Sequence, residues 1–101
     1  MKEITAEELK LKISLGEDIH LVDVREEYEH EAFNIGGILL PLSSLMENVA
    51  LLEKEKPLIV YCSKGIRSQI AIQRLNEKFG YDNLINLKGG LEAYNLDYKP
   101  F

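Results

Sequence analysis

The 101-residue chain has one cysteine, no tryptophan and three prolines. A single cysteine cannot close an internal disulfide, so the fold must rest on its core, and nothing indicates an oxidising compartment. No apolar run approaches the roughly 20 residues that span a bilayer. The opening "MKEITAEELK" lacks the apolar stretch of a signal peptide. These absences set a cytoplasmic expectation with no membrane partner. Cations are the scarcer charge, 12 against 17 anions for a net of -5, which argues against nucleic acid as a partner. Repeats, low-complexity tracts and linker-like stretches are also missing, so a single domain over residues 1–101 is expected.

The composition that is present, 46% hydrophobic and 29% charged, is that of a folded globule. Thr5 and Glu8 have the spacing of a capping box, with Ile4 and Leu9 as a hydrophobic staple and Gly16 as a stop. They predict a first helix. "IHLVDV" at 19–24 reads as a strand, "REEYEHEAF" as a short acidic helix, and "GGILLPL" as an extended segment ending near Pro41. In "SSLMENVALLEKEK", Leu45, Met46, Val49 and Leu52 recur at helical spacing behind Ser43 or Ser44 as a cap, which predicts another helix. "PLIVYC" is the most strand-like run, "RSQIAIQRLNEKFG" a helix stopped at Gly80, "NLINL" a strand and "GGLEAYNL" a closing helix. Short apolar strands alternating with helices predict an α/β fold, a mainly parallel sheet flanked by helices on both faces.

In such sheets ligands gather where strands end and loops lead into helices. Cys62 stands at that position, followed by Ser63, Lys64, Gly65, Ile66 and Arg67. A lone cysteine ending an apolar strand is more often a small buried hydrophobe than a nucleophile. Here the turn is tight, Gly65 permits its curvature, and several backbone N–H groups can face inward. The next helix adds its own unpaired N–H groups and positive end. Lys64 and Arg67 add charge. A thiol in such surroundings is expected to be held largely as thiolate. Arg67 alone could be a solvated helix-start residue, but a cation at the positive end of a helix is poorly placed without an anionic partner, which points to function.

"CSKGIRS" resembles the active-site loop of single-domain rhodaneses: cysteine, two residues, glycine, one residue, arginine, serine. "LVDVREEYEHEAFNIGGILLPLSSL" at 21–45 is similar to that family's first motif, and "LKGGLEAYNL" at 87–96 to its closing segment. The resemblance implies a rhodanese-like fold and a sulfurtransferase that works by ping-pong transfer through a Cys62 persulfide, from an anionic donor such as thiosulfate to cyanide, a thiol or a sulfur-relay protein. It implies no metal or organic cofactor. Residues 63–67 would hold the donor and the persulfide, with Ser68 in support. Asp23 and Arg25 would form an ion pair bracing the loop, more structural than chemical. Four residues separate Cys62 from Arg67, one fewer than in related phosphatase and arsenate-reductase loops, which makes those activities the lesser alternative. A non-catalytic sulfur carrier is the other.

Two departures stand out. Where family members often carry Gly-His-Ile-Pro-Gly-Ala, this chain has Phe33-Asn34-Ile35-Gly36-Gly37-Ile38, and Tyr94 stands where tryptophan is common. His20 and His30 lack the spacing of metal ligands and are assigned to surface or packing roles. The five tyrosines form no stripe, and the glutamate-rich stretches read as solvated helix faces.

Overall fold

The computed structural model describes residues 1–99. Five strands form one sheet in the order β1-β5-β4-β2-β3, and every pairing is parallel. The strands are β1 (Lys2–Ile4), β2 (Leu21–Asp23), β3 (Ile38–Leu39), β4 (Leu58–Tyr61) and β5 (Leu84–Leu87). The helices are α1 (Ala6–Ser14), α2 (Glu27–Ala32), α3 (Ile66–Phe79) and α4 (Gly90–Tyr94). The α/β architecture with a parallel sheet is the one expected.

Alternation along the strands divides the core in two. Val22, Leu58, Val60 and Leu84 pack with Ala71, Ile72 and Leu75 of α3, and with Leu45, Leu52 and Tyr81. On the other face Ile4, Ile59, Tyr61 and Leu87 meet Leu9 of α1 and Leu91 of α4. Each such leucine, fully buried, contributes on the order of 1.5–3 kcal/mol. All four residues of the central strand β4 are buried, which is why its sequence shows no polar alternation.

The first helix begins as its sequence directs. The Thr5 side chain accepts from the Glu8 amide, and the Glu8 carboxylate accepts from the Thr5 amide. Two segments differ from expectation. Lys2–Ile4 pairs with β5 as an edge strand, although only Ile4 in it is buried. The helix expected after Pro41 is instead two 3-10 turns, Leu42–Glu47 and Val49–Leu51. Ser44 leaves helical angles at φ -124°, and the Asn48 side-chain amide donates to the Ser44 carbonyl. Serine and asparagine compete with helical hydrogen bonding in this way. Leu45 and Leu52 still reach the core, and the Tyr81 hydroxyl bonds the carbonyls of Val49 and Leu52 at 3.1 and 2.9 Å. Among the described residues no helix is long and apolar enough to cross a membrane.

Candidate active site

The loop after β4 turns at Gly65, whose φ is +89° and which forms the N-cap of α3 without a side-chain cap. Only glycine adopts that angle freely. A capped helix gives an N-cap side-chain oxygen to the amide two or three residues on. Here the Ser68 amide, three residues past Gly65, points instead at Cys62 Sγ, 3.4 Å away. The Gly65 amide reaches the same sulfur at 3.1 Å. The thiol thus takes the place of the missing cap.

Cys62 is 1% exposed and lies at the base of an open cleft of about 410 Å³. Tyr28, Glu29, Ser63, Lys64, Ile66 and Arg67 line the rest of it. Ile66 and Lys64 are exposed at the rim, and no described residue bonds the Lys64 ammonium. The carbonyls of Cys62 and Ser63 face away and accept from the amides of Leu91 and Glu92 in α4. This back-to-back contact requires Gly90. Its φ is +61°, and a Cβ there would lie 2.5 Å from the Cys62 carbonyl oxygen.

The anionic partner anticipated for Arg67 is Glu29. Arg67 Nη1 and Nη2 donate to Glu29 Oε1 and Oε2 at 2.7 and 2.9 Å. Glu29 is 4% exposed, so this member of the acidic helix is not on a solvated face. The bond from Arg67 holds the Glu29 carboxyl below the usual glutamate value, and the bond to Glu29 raises the Arg67 pKa. Arg67 Nη2 also donates to Ser63 Oγ at 3.2 Å.

Asp23 and Arg25 form the expected pair and are both fully buried. Arg25 Nε and Nη2 donate to the Asp23 carboxylate at 3.0 and 2.8 Å. Burial opposes the Arg25 charge, but the hydrogen bonds and charge of Asp23 outweigh it and leave its pKa raised. Arg25 also holds the Phe33 carbonyl at 2.5 Å and the Tyr98 hydroxyl at 3.2 Å. Tyr98 then bonds Ser63 Oγ at 2.7 Å. Tyr98, a residue with no signal in the sequence pattern, thus links the pair to the loop. His30 packs against the same pair, its Nδ1 2.8 Å from Asp23 Oδ2.

The departure at 33–38 has its own support. The buried Tyr61 hydroxyl donates to the Gly36 carbonyl at 2.9 Å and accepts from the Ile35 amide. Burial and the nearby Asp23 charge push the Tyr61 hydroxyl pKa up, keeping it protonated for that role. Ser68, expected in support, is buried with its Oγ 3.4 Å from Cys62 Sγ. Among the described residues no group of three or more His, Cys, Asp or Glu could hold a metal ion.

Comparison with known proteins agrees with this fold. The family description "Rhodanese-like domain" matches residues 5–97. The Bacillus subtilis protein named "Putative sulfurtransferase YtwF" is 32% identical over 99% of this chain and 96% of its own length. Thiosulfate sulfurtransferase GlpE of Coxiella burnetii is 38% identical over 80% of this chain and 76% of its own. The crystal structure of a rhodanese-like domain protein from Staphylococcus aureus superposes with a TM-score of 0.84 at 30% identity, covering 94% of this chain and 92% of that one. The chain belongs to the rhodanese-like domain family, among relatives named as sulfurtransferases.

Proposed function

We propose that the protein transfers sulfane sulfur in two steps through Cys62. The thiolate attacks the outer sulfur of a donor such as thiosulfate. The S–S bond of the donor breaks and its electron pair leaves with sulfite, so Cys62 carries a persulfide anion. A thiophilic acceptor, cyanide or a thiol, then attacks the outer persulfide sulfur, and Cys62 departs as thiolate. No net oxidation occurs, and no other reactant is needed. This is covalent nucleophilic catalysis.

The observation that carries this reading is the pair of amides, Gly65 N–H and Ser68 N–H, aimed at Cys62 Sγ from an uncapped helix start. Donors fixed in place stabilise an anion on that sulfur without reorganising. Lys64, at the rim, is the loop cation best placed to attract an anionic donor. Arg67 acts mainly by holding Glu29 and Ser63, which fixes the loop around the sulfur. Asp23, Arg25 and Ser68 support the same geometry. A thiol that must stay reduced between turnovers suits a reducing compartment such as the cytoplasm. With one cysteine there is no resolving thiol within the chain, so the acceptor comes from outside, as a small thiol or a sulfur-relay protein.

The test is intact mass after incubation with thiosulfate. The wild type is expected to gain one sulfur atom, and Cys62→Ala none. An unchanged wild-type mass overturns the reading. Steady-state turnover with thiosulfate and cyanide then distinguishes an enzyme from a carrier that loads but does not turn over.

A further inference from the structure

A polar residue interrupts the apolar centre of the sheet. Across the register, Val22 pairs with Val60, Val60 with Asn86 and Asn86 with Glu3. Asn86 is fully buried on the α3 side, where an unbonded amide would be costly. Both ends of its side chain are bonded. Nδ2 donates to Glu3 Oε2 at 3.1 Å, and Oδ1 receives the Ser68 hydroxyl at 2.5 Å.

The direction of this chain is forced from its outer end. A carboxylate only accepts, so Asn86 must turn Nδ2 to Glu3 and Oδ1 to Ser68. A carbonyl oxygen only accepts, so the Ser68 hydroxyl must give its proton to Asn86. Ser68 Oγ, 3.4 Å from Cys62 Sγ, then presents lone pairs to the sulfur. In that orientation it receives a hydrogen bond from the thiol and offers none to the thiolate. The two amides already described are left to hold the anion.

We propose that Glu3 and Asn86 are positioning residues that set the ionisation of Cys62 by fixing which way the Ser68 hydroxyl points. The edge strand β1, remote from the cleft, thereby tempers the nucleophile. The inference rests on Cys62 being the reactive thiol, but its test needs no sulfur transfer, so the two stand or fall separately.

The decisive variant reverses the outer end of the chain. In Glu3→Lys an ammonium donates to Asn86 Oδ1, the amide turns over, Nδ2 donates to Ser68 Oγ, and the hydroxyl proton is released toward the sulfur. In Glu3→Gln the side-chain carbonyl can still accept from Asn86 Nδ2, so nothing forces the amide over. Glu3 is exposed, and neither change disturbs the core. The other ionisable groups around the sulfur stay constant in every variant: Lys64 and Arg67 of the loop and α3, Tyr28 and Glu29 of α2, and Tyr98 beside Ser63.

The measurement is the rate of Cys62 alkylation by neutral iodoacetamide, followed by intact mass across the pH range of thiol ionisation. In Glu3→Lys the midpoint is expected to move about half a unit to the acid side, roughly threefold faster reaction well below it. Glu3→Gln should stay at the wild-type midpoint. The Glu3→Lys shift should vanish when Ser68→Ala is added, because the relay is then cut. No shift in Glu3→Lys overturns the proposal. So does an equal shift in Glu3→Gln, and so does a shift that persists in the Ser68→Ala background, which would be the field of the new charge alone.

Discussion

Arg67 and Glu29, 38 residues apart in the sequence, meet end to end, with the two outer guanidinium nitrogens on the two carboxylate oxygens at 2.7 and 2.9 Å. Paired guanidinium and carboxylate forks of this kind are both directional and charge-assisted. The contact ties the first turn of α3 to α2, so the loop between Cys62 and Arg67 is held at both ends.

Lys64 and Arg67 should therefore separate on mutation, although the sequence presents them as equivalent cations. Lys64→Ala is expected to slow persulfide loading by thiosulfate with the urea midpoint unchanged, because its ammonium is exposed. Arg67→Ala should slow loading and also destabilise the fold by about 2–4 kcal/mol, since it leaves the nearly buried Glu29 without its counter-charge. Equal urea midpoints for the two variants would contradict this division.

Glu29 gives the pair a pH dependence. Its carboxyl is held below the ordinary glutamate value of 4.5, first by the bond from Arg67. A depressed carboxyl contributes stability that is fully present above its unfolded value and is lost as pH falls through the folded one. Glu29→Gln should thus be less stable than wild type at neutral pH. The gap should begin to narrow as pH falls past the unfolded glutamate value and close only below the depressed folded one, as the wild-type carboxyl takes up its proton. Chemical denaturation at a series of pH values measures it. A gap that stays constant down to acid would show that Glu29 contributes by shape alone.

Gly90 and Gly16 form a matched pair of left-handed glycines, at φ +61° and +71°. A methyl group at Gly16 meets nothing within 4 Å, whereas one at Gly90 collides with the Cys62 carbonyl and the Ser63 backbone. Gly16→Ala should carry only the backbone penalty of about 1–2 kcal/mol. Gly90→Ala should carry more and also abolish sulfur loading, because the loop must shift. Thermal unfolding and intact mass on both variants decide the point.

Tyr98→Phe removes one hydroxyl that bonds both Ser63 and Arg25. A loss of about 1–2 kcal/mol is expected, with slower loading as Ser63 is freed. Unaltered loading would mean that the tail contributes to stability without tuning the loop.

Much of the fold could be read from local pattern. The capping box at Thr5 and Glu8, the unbroken apolar run of β4 and the glycine stop at Gly80 are short-range signals, and each marks an element that formed. The strand Lys2–Ile4 gave no such signal. It is three residues long, lies at the sheet edge and buries only Ile4, so its partner β5 defines it. The segment after Pro41 kept its helical spacing of apolar residues but not the helix, because Ser44 and Asn48 bond locally and Tyr81 secures the carbonyls of Val49 and Leu52 from outside.

The site divides along the same line. Cys62, Gly65, Arg67 and Ser68 lie within seven consecutive residues, and their chemistry is visible there. Arg67 even announced that it needed an anion. Which carboxylate answers depends on how α2 docks, since several glutamates in that stretch look alike in sequence. Tyr98 and Asn86 could not be found by spacing at all. They matter only through contacts that the sheet and the C-terminal turn bring together.

One consequence follows from the direction of the loop carbonyls. Those of Cys62 and Ser63 are bound on the far side by Leu91 and Glu92. That stretch of the wall beside the sulfur consequently shows visitors hydrogens rather than lone pairs. An electron-rich group can settle against it without meeting those two carbonyl oxygens, which are already committed behind it.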